Sequence, residues 1–491
     1  MNDLHDLKLM LGAQTPVILV ESLEEMRILQ FLVRISSGLP LPFYKWTVTE
    51  GISRLDADYG HQTGTDNPQL ALQHIKTTDT PGYFVLLDFH PFLDDPLHVR
   101  LIKEIALNFD NINKYLVFIS YSLEMPRELR HLCARFSIQL PTRSAIKNLI
   151  KEEALRWKTR HGKNLKIQTN VPILEKLASN LSGVTTTDAR RLIRVAIEND
   201  GAITTSDLPE VMKAKYQLMS SQGVISFEYD TARFSDVAGL DNLKTWLRQR
   251  APILAQQKAD LDQPKGIMLL GVQGCGKSLA AKAVAGLFDI PLLRLDFSSL
   301  YNKFHGETER NLREALSTAE VMAPCVLWMD EIEKGLSTSD NDDGVSRRVL
   351  GSLLTWMAER KSSVFVVATS NDITRLPPEL VRKGRMDEIF FVDLPDEATR
   401  QEIFRIHLAM RDEVAENFDL PLLASSSEGF SGAEIEQAVV SSLYSSQSDQ
   451  DELSTRHLLD ELALTRPLSI VMAEYIAQLR HWAQDRTVPA N

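Results

Sequence analysis

The fold is decided by residues 266–278, which read GIMLLGVQGCGKS. The apolar residues 266–270 predict a buried parallel strand, and residues 279–285 predict a helix directly after the turn. A glycine-rich turn between a strand and a helix is the setting of a phosphate-binding P-loop, because backbone N–H groups and the helix N-terminus both attract phosphate oxygens. The Lys277 ammonium is placed to reach the β- and γ-phosphates, and the Ser278 hydroxyl to bind Mg²⁺. The predicted nucleotide contacts here are Gly271, Gly274, Cys275, Gly276, Lys277, Ser278 and Leu279.

Length and composition set the broad class of the protein. The chain has 491 residues, of which 44% are hydrophobic, and a formal net charge of -12. Such a length allows about two to four domains with substantial cores. The acidic balance disfavours a chain-wide nucleic-acid surface but is compatible with a local basic pore. The cysteines are widely spaced and indicate no disulfide framework or zinc site, and no apolar run reaches membrane-spanning length. We therefore expect a soluble, cytoplasmic protein.

Strand and helix patterns alternate through both halves of the chain, which is typical of an α/β fold. Three pairs of segments correspond in the same order: 83–88 with 325–330, 136–141 with 390–395, and 177–183 with 423–429. A general likeness among α/β domains is one explanation, but the collinear order favours duplication. We predict two copies of a parallel-sheet P-loop NTPase module, the first degenerate and the second active, with a C-terminal helical lid.

The first copy lacks the residues that bind and hydrolyse a nucleotide. Residues 20–25, VESLEE, stand where its P-loop would lie, and they contain neither glycine nor a Lys-Ser pair. Asp88 is followed by Phe89 in place of a second carboxylate. Asp88 and His90 offer a metal pair as an alternative, but with no further ligand in view we interpret them as a structural remnant. We expect this copy to act as a scaffold, adaptor or ring stabiliser.

The domain organisation follows from these patterns. The predicted parts are a degenerate module over 1–218, with a sheet part over about 1–141 and a helical part over about 142–218, a linker over 219–231, a large ATPase subdomain over 232–395, and a helical lid with a C-terminal helix over 396–491. The linker prediction depends on the mixture of Ser, Gly and Gln with charged residues.

Polar residues follow two apolar strands of the second copy. Residues 326–329 lead into Asp330 and Glu331. Asp330 is placed to hold Mg²⁺, largely through its water shell, and Glu331 to polarise the attacking water as a general base. Asn371 ends another apolar strand, where it can orient that water or read the γ-phosphate; a simple turn residue is the alternative.

Three cations lie within residues 382–385, RKGR. A solvated face is the usual explanation of such a cluster. Their distance from Asn371 lets Arg382 and Arg385 reach the subunit edge, where an arginine stabilises transition-state charge on a neighbour's phosphate.

These motifs together resemble the AAA family of ATPases. Residues 234–240, the P-loop, the Asp330-Glu331 pair, Asn371 and residues 384–387 appear in order and at family spacing, over about residues 233–464. By this resemblance Asn371 matches sensor 1, and Arg382 and Arg385 match two arginines of the second region of homology. The further nucleotide contacts that the resemblance implies are Asp236, Val237 and Ala238 in an adenine-contacting loop, and His407, Gly432 and Ala433 in the lid.

The resemblance also implies cofactors, partners and location. ATP and Mg²⁺ are the expected cofactors, and a homo-oligomeric ring, a hexamer, is the expected assembly. The whole chain is similar to a family of AAA proteins encoded in some algal plastids as a hypothetical chloroplast reading frame and found also in cyanobacteria and other bacteria. We therefore expect a bacterial cytoplasm or a plastid stroma as the location.

One loop matches the family's first pore loop. Phe304 and His305 lie in residues 302–309, between the P-loop and the Asp330 strand. An exposed aromatic ring in the channel of a ring can grip an extended protein chain or stack on a base. A core position for Phe304 is the alternative.

Three hypotheses about function follow. The first is an ATP-driven ring that remodels or threads a protein or protein complex. The second is a nucleic-acid motor or loader, for which only a few basic sites are available. The third is a regulatory switch that controls partner docking through the first half.

Overall fold

The computed structural model describes residues 2–57, 60, 62–161, 169–198, 201–219, 224–228, 236–256, 262–301, 308–336, 345–380, 382 and 384–491. The chain divides into two compact units, Met1–Leu149 with Val184–Arg191, and Ile150–Gly183 with Leu192–Asn491. This division differs from the predicted boundary at residue 218, because most of the helical segment joins the second unit. The predicted domain boundaries stay a prediction.

The first unit contains a six-stranded sheet. Its strands are β1 Val17–Glu21, β2 Phe43–Thr47, β3 Gly51–Arg54, β4 Gly82–Leu87, β5 Lys114–Ser120 and β6 Cys133–Ser137. The order in space is β3-β2-β4-β5-β1-β6, and every neighbouring pair is parallel except β2 with β3. The four helices of this part of the unit are α1 Asn2–Gly12, α2 Glu25–Ser36, α3 Pro68–Thr77 and α4 Pro96–Leu107.

Both faces of the first sheet are apolar. Strands β4 and β5 are buried along their whole length. Successive side chains of a strand point to opposite faces, so Val17 and Leu19 join one core cluster and Ile18 and Val20 join the other. Continuous burial of this kind is typical of a parallel sheet that is covered on both sides.

The second unit contains a seven-stranded sheet. Its strands are β7 Ile225–Glu228, β8 Gly266–Gly271, β9 Leu292–Leu295, β10 Cys325–Met329, β11 Val364–Ser370, β12 Glu388–Val392 and β13 Val488–Pro489. The order in space is β13-β12-β8-β11-β10-β9-β7, and every pair is parallel except β7 with β9.

The two sheets share one topology. In the first sheet the neighbouring strands are β6-β1-β5-β4-β2, and in the second they are β12-β8-β11-β10-β9. When these five strands of each sheet are numbered along the chain, both sheets have the order fifth, first, fourth, third and second. Each sheet also carries one antiparallel strand beyond its second strand. The predicted duplication of an α/β module is confirmed by this shared order.

Four helices connect the sheets along the chain: α5 Arg143–His161, α6 Val171–Asn180, α7 Thr186–Glu198 and α8 Asp207–Met219. The remaining helices are α9 Asp241–Gln256, α10 Lys277–Phe288, α11 Phe297–Tyr301, α12 Thr308–Val321, α13 Ile332–Leu336, α14 Val345–Glu359, α15 Glu397–Ala409, α16 Leu420–Ser426, α17 Gly432–Asp449, α18 Thr455–Leu464, α19 Leu468–Val471 and α20 Ala473–Ala483.

A buried lysine on α8 joins two helix ends within the second unit. The Lys215 side chain is fully buried, at 0% exposure. Its Nζ donates to the carbonyl oxygens of Asn180, Ser182 and Val321, each at 2.7 Å. Asn180 and Val321 end α6 and α12, and the last carbonyls of a helix have no donor within the helix. Lys215 therefore satisfies carbonyl groups that the helices leave free.

The helices α15–α18 form the lid. They surround an apolar cluster that includes Phe404, Leu423, Ile435 and Leu458. The helix α17 begins with a capping box, in which the Ser431 side chain accepts from the Glu434 N–H and the Glu434 carboxylate accepts from the Ser431 N–H. The cap fixes the first turn of α17, which lies at the candidate site described below.

Two strands differ from the sequence prediction. The predicted linker over 219–231 contains β7, because Val224 and Ile225 are buried and pack in the core cluster that contains Leu293. The predicted lid and C-terminal helix contain β13, which returns to the sheet beside β12. Both strands are too short to give a periodic signal in the sequence. They form because they pair with strands that are distant in the sequence.

Candidate active site

The P-loop joins the end of β8 to the start of α10. Gly274 and Gly276 have φ angles of +79° and +84°, a left-handed conformation that only glycine adopts without strain. A Cβ at Gly271 would lie 1.9 Å from the Val392 carbonyl oxygen, so the neighbouring strand excludes any side chain there. Left-handed residues that alternate with other turn residues let successive backbone N–H groups form an anion-binding concavity, and the N-terminus of α10 adds its positive dipole end.

Lys277 is the buried cation of this loop. Its residue is 6% exposed, and its Nζ donates to the carbonyl oxygens of Gly271 at 2.8 Å and Val272 at 2.7 Å. Burial lowers the pKa of Lys277 to about 8, and nearby acidic groups, including Asp330 and Glu331, oppose that shift. The side chain is therefore mainly protonated at neutral pH, as a phosphate ligand must be. Burial also raises the pKa of the neighbouring Cys275 thiol to about 12, so that thiol stays neutral.

Hydroxyl and carboxylate oxygens meet at the ends of β10 and β11. Ser278 Oγ donates to Asp330 Oδ1 at 3.3 Å, and Thr369 Oγ1 donates to the same oxygen at 2.6 Å. The second oxygen of Asp330 accepts from Arg294 Nη2 at 3.5 Å. Hard oxygen donors of this kind are the ligands that Mg²⁺ prefers, usually with several waters retained. Ser278 and Asp330 therefore fit a magnesium site.

Glu331 begins the turn after β10 in a left-handed conformation, with a φ angle of +48°. Its N–H donates to Thr369 Oγ1 at 3.1 Å, and its Oε1 accepts from Asn371 Nδ2 at 3.3 Å. Lys334 Nζ lies 2.6 Å from Glu331 Oε2 at the exposed side. A strained backbone at such a position is held by its surroundings and is typical of functional sites. The structure thus brings the predicted site residues Glu331 and Asn371 together.

Asn371 is held from two sides through its backbone. Its N–H donates to Glu333 Oε1 at 3.1 Å, and its carbonyl oxygen accepts from the Tyr475 hydroxyl on α20. Glu333 is 3% exposed, and burial raises the pKa of Tyr475. These contacts fix the direction of the Asn371 side chain towards Glu331.

A cavity of about 540 Å³ extends from the P-loop into the space beneath the lid. Its lining includes most of the predicted contacts, namely Asp236, Val237, Ala238, Gly274, Cys275, Gly276, Lys277, Ser278, Leu279, Asp330, Glu331, Asn371, His407, Gly432 and Ala433. The lining also includes the apolar side chains of Val237, Leu240 and Ile403. A phosphate cradle together with apolar walls matches the two parts of a nucleotide.

The lid contacts the P-loop directly. The Ala433 N–H donates to the Gly274 carbonyl oxygen at 3.0 Å, and a Cβ on Gly274 would lie 3.2 Å from the Ala433 Cβ. His407 Nδ1 lies 3.7 Å from Glu436 Oε1. Burial lowers the pKa of His407 although the Glu436 carboxylate opposes that shift, so we assign the neutral ring at pH 7. A neutral His407 suits contact with a base better than contact with a phosphate.

The two predicted arginines lie elsewhere. Arg382 is exposed, and an Nη atom of Arg385 donates to the Glu379 carbonyl oxygen. Neither arginine is among the described residues that line the cavity. The loop residues Phe304 and His305 lie outside the residues that the structure describes.

The sequence prediction missed several residues at the site, among them Thr369, Glu333, Tyr475 and Asn491. Thr369 and Glu333 are each two residues from a predicted site residue. The alternation of side chains along the strand and the spacing in the turn could therefore have identified them. Tyr475 and Asn491 have no local signal, because their partners Asn371 and Leu240 are 104 and 251 residues away in the sequence.

The corresponding edge of the first sheet has different chemistry. Asp88 lies where Asp330 lies in the second copy, and Ser120 Oγ donates to Asp88 Oδ1 at 3.3 Å. Phe89 takes the place of Glu331 and is fully buried in the core. His90 Nδ1 lies 2.7 Å from Ser120 Oγ, and among the described residues no group of three or more acidic, His or Cys side chains could hold a metal ion. This edge has the fold of the site without a carboxylate at the position of Glu331.

Comparison with known proteins places the chain in a family. The model for the ATPase family associated with various cellular activities (AAA) matches residues 267–394. Models for the SpoVK-like AAA ATPase match residues 3–138 as its N-terminal domain and residues 144–222 as its second domain. The chain belongs to the AAA ATPase family, which confirms the resemblance drawn from its motifs.

The similarity to individual relatives extends over nearly the whole chain. The AAA domain-containing protein ycf46 of Guillardia theta is 36% identical over 492 residues, which cover 98% of this chain and 95% of the relative. The proteins of the same name from Pyropia yezoensis and Trieres chinensis are each 34% identical, over 99% and 97% of this chain and 98% and 96% of the relative. The finer resemblance to a plastid-encoded group is confirmed.

Among the described residues, none of the helices combines the length and the apolar character that crossing a membrane requires.

Proposed function

We propose that this protein binds ATP with Mg²⁺ and hydrolyses it at the cavity of the second unit. The observation that carries the proposal is the convergence of Lys277, Asp330 and Glu331 at one end of one cavity, with the Glu331 carboxylate 3.3 Å from the Asn371 amide. Each group has the chemistry that its place in phosphoryl transfer requires. The first unit takes no part in the hydrolysis.

The residues of the chain have distinct roles in this reaction. The P-loop amides and Lys277 bind the phosphates, while Ser278 and Asp330 hold Mg²⁺, which neutralises phosphate charge when it is bound. Glu331 accepts a proton from the attacking water, and Asn371 orients the Glu331 carboxylate through its Nδ2 atom. The lid residues His407, Gly432 and Ala433 close the site over the nucleotide.

We also propose that the protein works as a ring-shaped homo-oligomer, a hexamer, that remodels or threads a protein. The exposed Arg382, and the place of Arg385 away from its own cavity, support a site that is completed by the neighbouring subunit. A head-to-tail contact that places an arginine in the next site closes into a ring when the rotation allows. The net charge of -12 favours a protein substrate over a nucleic acid.

Action between subunits predicts rescue in mixed assemblies. Arg385→Ala should keep ATP binding but lose about a thousandfold in hydrolysis rate, because the transition-state charge lacks its cation. Lys277→Ala should lose ATP binding while its Arg385 stays intact. Mixing the two inactive variants should restore hydrolysis, measured as phosphate release against the mixing ratio.

The mixing experiment has a clear adverse outcome. If Arg385 serves its own site, each mixture will remain as inactive as its components. A mixture of Arg385→Ala with the double variant Lys277→Ala/Arg385→Ala is the matched control, because it offers no intact arginine and should show no recovery.

The predicted pore loop tests the proposed substrate class. Phe304→Ala should leave basal ATP hydrolysis and stability nearly unchanged and should abolish stimulation by an unfolded protein, because the ring would cycle without a grip. The rate of ATP hydrolysis should be measured for the wild type and the variant with unfolded protein, with single-stranded DNA, and without either.

The alternative functions predict other results. Stimulation of the wild type by DNA alone would support the nucleic-acid motor, and an absence of stimulation by either would support the switch. A loss of about 3–5 kcal/mol in stability would place Phe304 in the core.

A further inference from the structure

Residues 488–491 run along the edge of the second sheet and end at the cavity. The strand β13 pairs with β12, and the Ala490 N–H continues the ladder by donating to the Phe391 carbonyl oxygen at 2.9 Å. Ala490 is 1% exposed, while Asn491 lies in the lining of the same cavity as the P-loop. This segment therefore connects the sheet edge to the nucleotide site.

The loop that Asn491 contacts is strained. Gly239 and Leu240 both have left-handed backbones, with φ angles of +64° and +61°. Leucine rarely adopts this conformation, so an external contact must hold it. One such contact is the Asn491 side chain, whose Oδ1 accepts from the Leu240 N–H. A Cβ on Gly239 would lie 2.8 Å from the same oxygen, so Asn491 packs directly on the turn.

A second set of hydrogen bonds fixes the loop to the same segment. The Ala490 carbonyl oxygen accepts from the N–H groups of Asn242 at 3.1 Å and Leu243 at 3.2 Å. These amides belong to the first turn of α9, where a helix has donors without partners inside the helix. The Asn242 Nδ2 atom in turn donates to the carbonyl oxygens of Pro489 and Asn491. The loop and the start of α9 therefore have their geometry set by residues 488–491.

We infer that Asn491 is a positioning residue for the base of the nucleotide. It holds the turn at Gly239 and Leu240, and so helps to place Val237 and Leu240, which share one apolar cluster and line the cavity. Its side chain acts on the loop that follows the predicted adenine-contacting residues 236–238, so we expect it to affect binding of the base and not of the phosphates. This inference rests on the proposed nucleotide function of the cavity.

The test compares ligands that share phosphates but differ in the base. Asn491→Ala should raise the Kd for ATP and for ADP by about tenfold alike, because both carry adenine. Its affinity for inorganic tripolyphosphate should equal that of the wild type, because that ligand uses the P-loop alone. A general loss of structure would weaken all three ligands together. Titration calorimetry on the full-length protein gives the three constants.

Two further variants sharpen the test. Asn491→Asp keeps an oxygen acceptor for the Leu240 N–H and should restore most of the ATP affinity. Asn242→Ala removes the two side-chain bonds from the start of α9 to Pro489 and Asn491. Combining it with Asn491→Ala should weaken ATP binding by less than the product of the single effects, because both changes loosen the same segment from the loop. Asp485→Ala, an exposed change nearby, is the matched control and should leave all constants unchanged.

The outcomes separate this inference from the proposed function. Unchanged ATP affinity in Asn491→Ala, or equal loss of ATP and tripolyphosphate affinity, would overturn the positioning role while the nucleotide function stands. A wild-type protein that binds neither ATP nor tripolyphosphate would overturn the proposed function and, with it, this inference.

Discussion

Replacement of Glu331 by Gln should leave ATP bound and slow its hydrolysis by about a hundredfold to ten-thousandfold, because the water loses its general base. The amide keeps the size of the side chain and an oxygen for Asn371 Nδ2, so the geometry of the turn is preserved. Single-turnover hydrolysis and equilibrium binding of ATP, measured on the same preparation, separate the two effects. Glu359→Gln, an exposed change on α14 outside the cavity lining, is the matched control and should behave as the wild type.

The trapped variant also serves to find the substrate. A protein that holds ATP without turnover retains whatever it engages in the ATP state, so its pull-down should enrich a substrate protein, identified by mass spectrometry after nuclease treatment. Hydrolysis at the wild-type rate by Glu331→Gln would remove Glu331 from the mechanism and refute the assignment of the general base.

Replacement of Lys215 by Met should lower the free energy of unfolding by about 3–5 kcal/mol, because the carbonyl groups of Asn180, Ser182 and Val321 would be buried without donors. Methionine is nearly as long as lysine, so the loss reports the hydrogen bonds more than a cavity. Burial lowers the pKa of Lys215 to about 7. Urea unfolding should therefore be measured at about pH 6, where the ammonium is protonated and has three N–H donors.

Lys213 provides the control for this effect. It is exposed on the same helix, two residues from Lys215, and Lys213→Met should change stability by no more than about 0.5 kcal/mol. Equal stability of Lys215→Met and Lys213→Met would mean that the buried ammonium is replaceable by apolar packing, as some buried charges are.

The candidate site residues that the sequence identifies are those with a local cause. Lys277 follows a strand and a glycine turn, and Asp330 follows a strand, so each is placed by the element next to it. The topology of the second sheet brings the ends of β8, β10 and β11 side by side, which is why these residues meet. The duplicated fold is likewise predictable from the sequence, because corresponding strand patterns occur in the same order in both halves.

The rest depends on contacts between residues distant in the chain. Lys215 lies on a helix where a charged residue usually indicates solvent, and only the ends of α6 and α12 explain its burial. Asn491 and Tyr475 act on Leu240 and Asn371 through hydrogen bonds that no local pattern encodes. Local sequence patterns and family motifs therefore identify most of the residues that line the cavity, but not the distant contacts that hold those residues in place.

The short strand β13 has a consequence for solubility. It covers β12, whose sequence EIFFV has four apolar residues that favour strands. Such a strand is prone to pair with other chains when its edge is free. β13 itself is a poor template for further strands, since it has two residues and one of them, Pro489, has no N–H group. Mutations that detach β13 should therefore produce aggregates from molecules whose catalytic sheet is still folded.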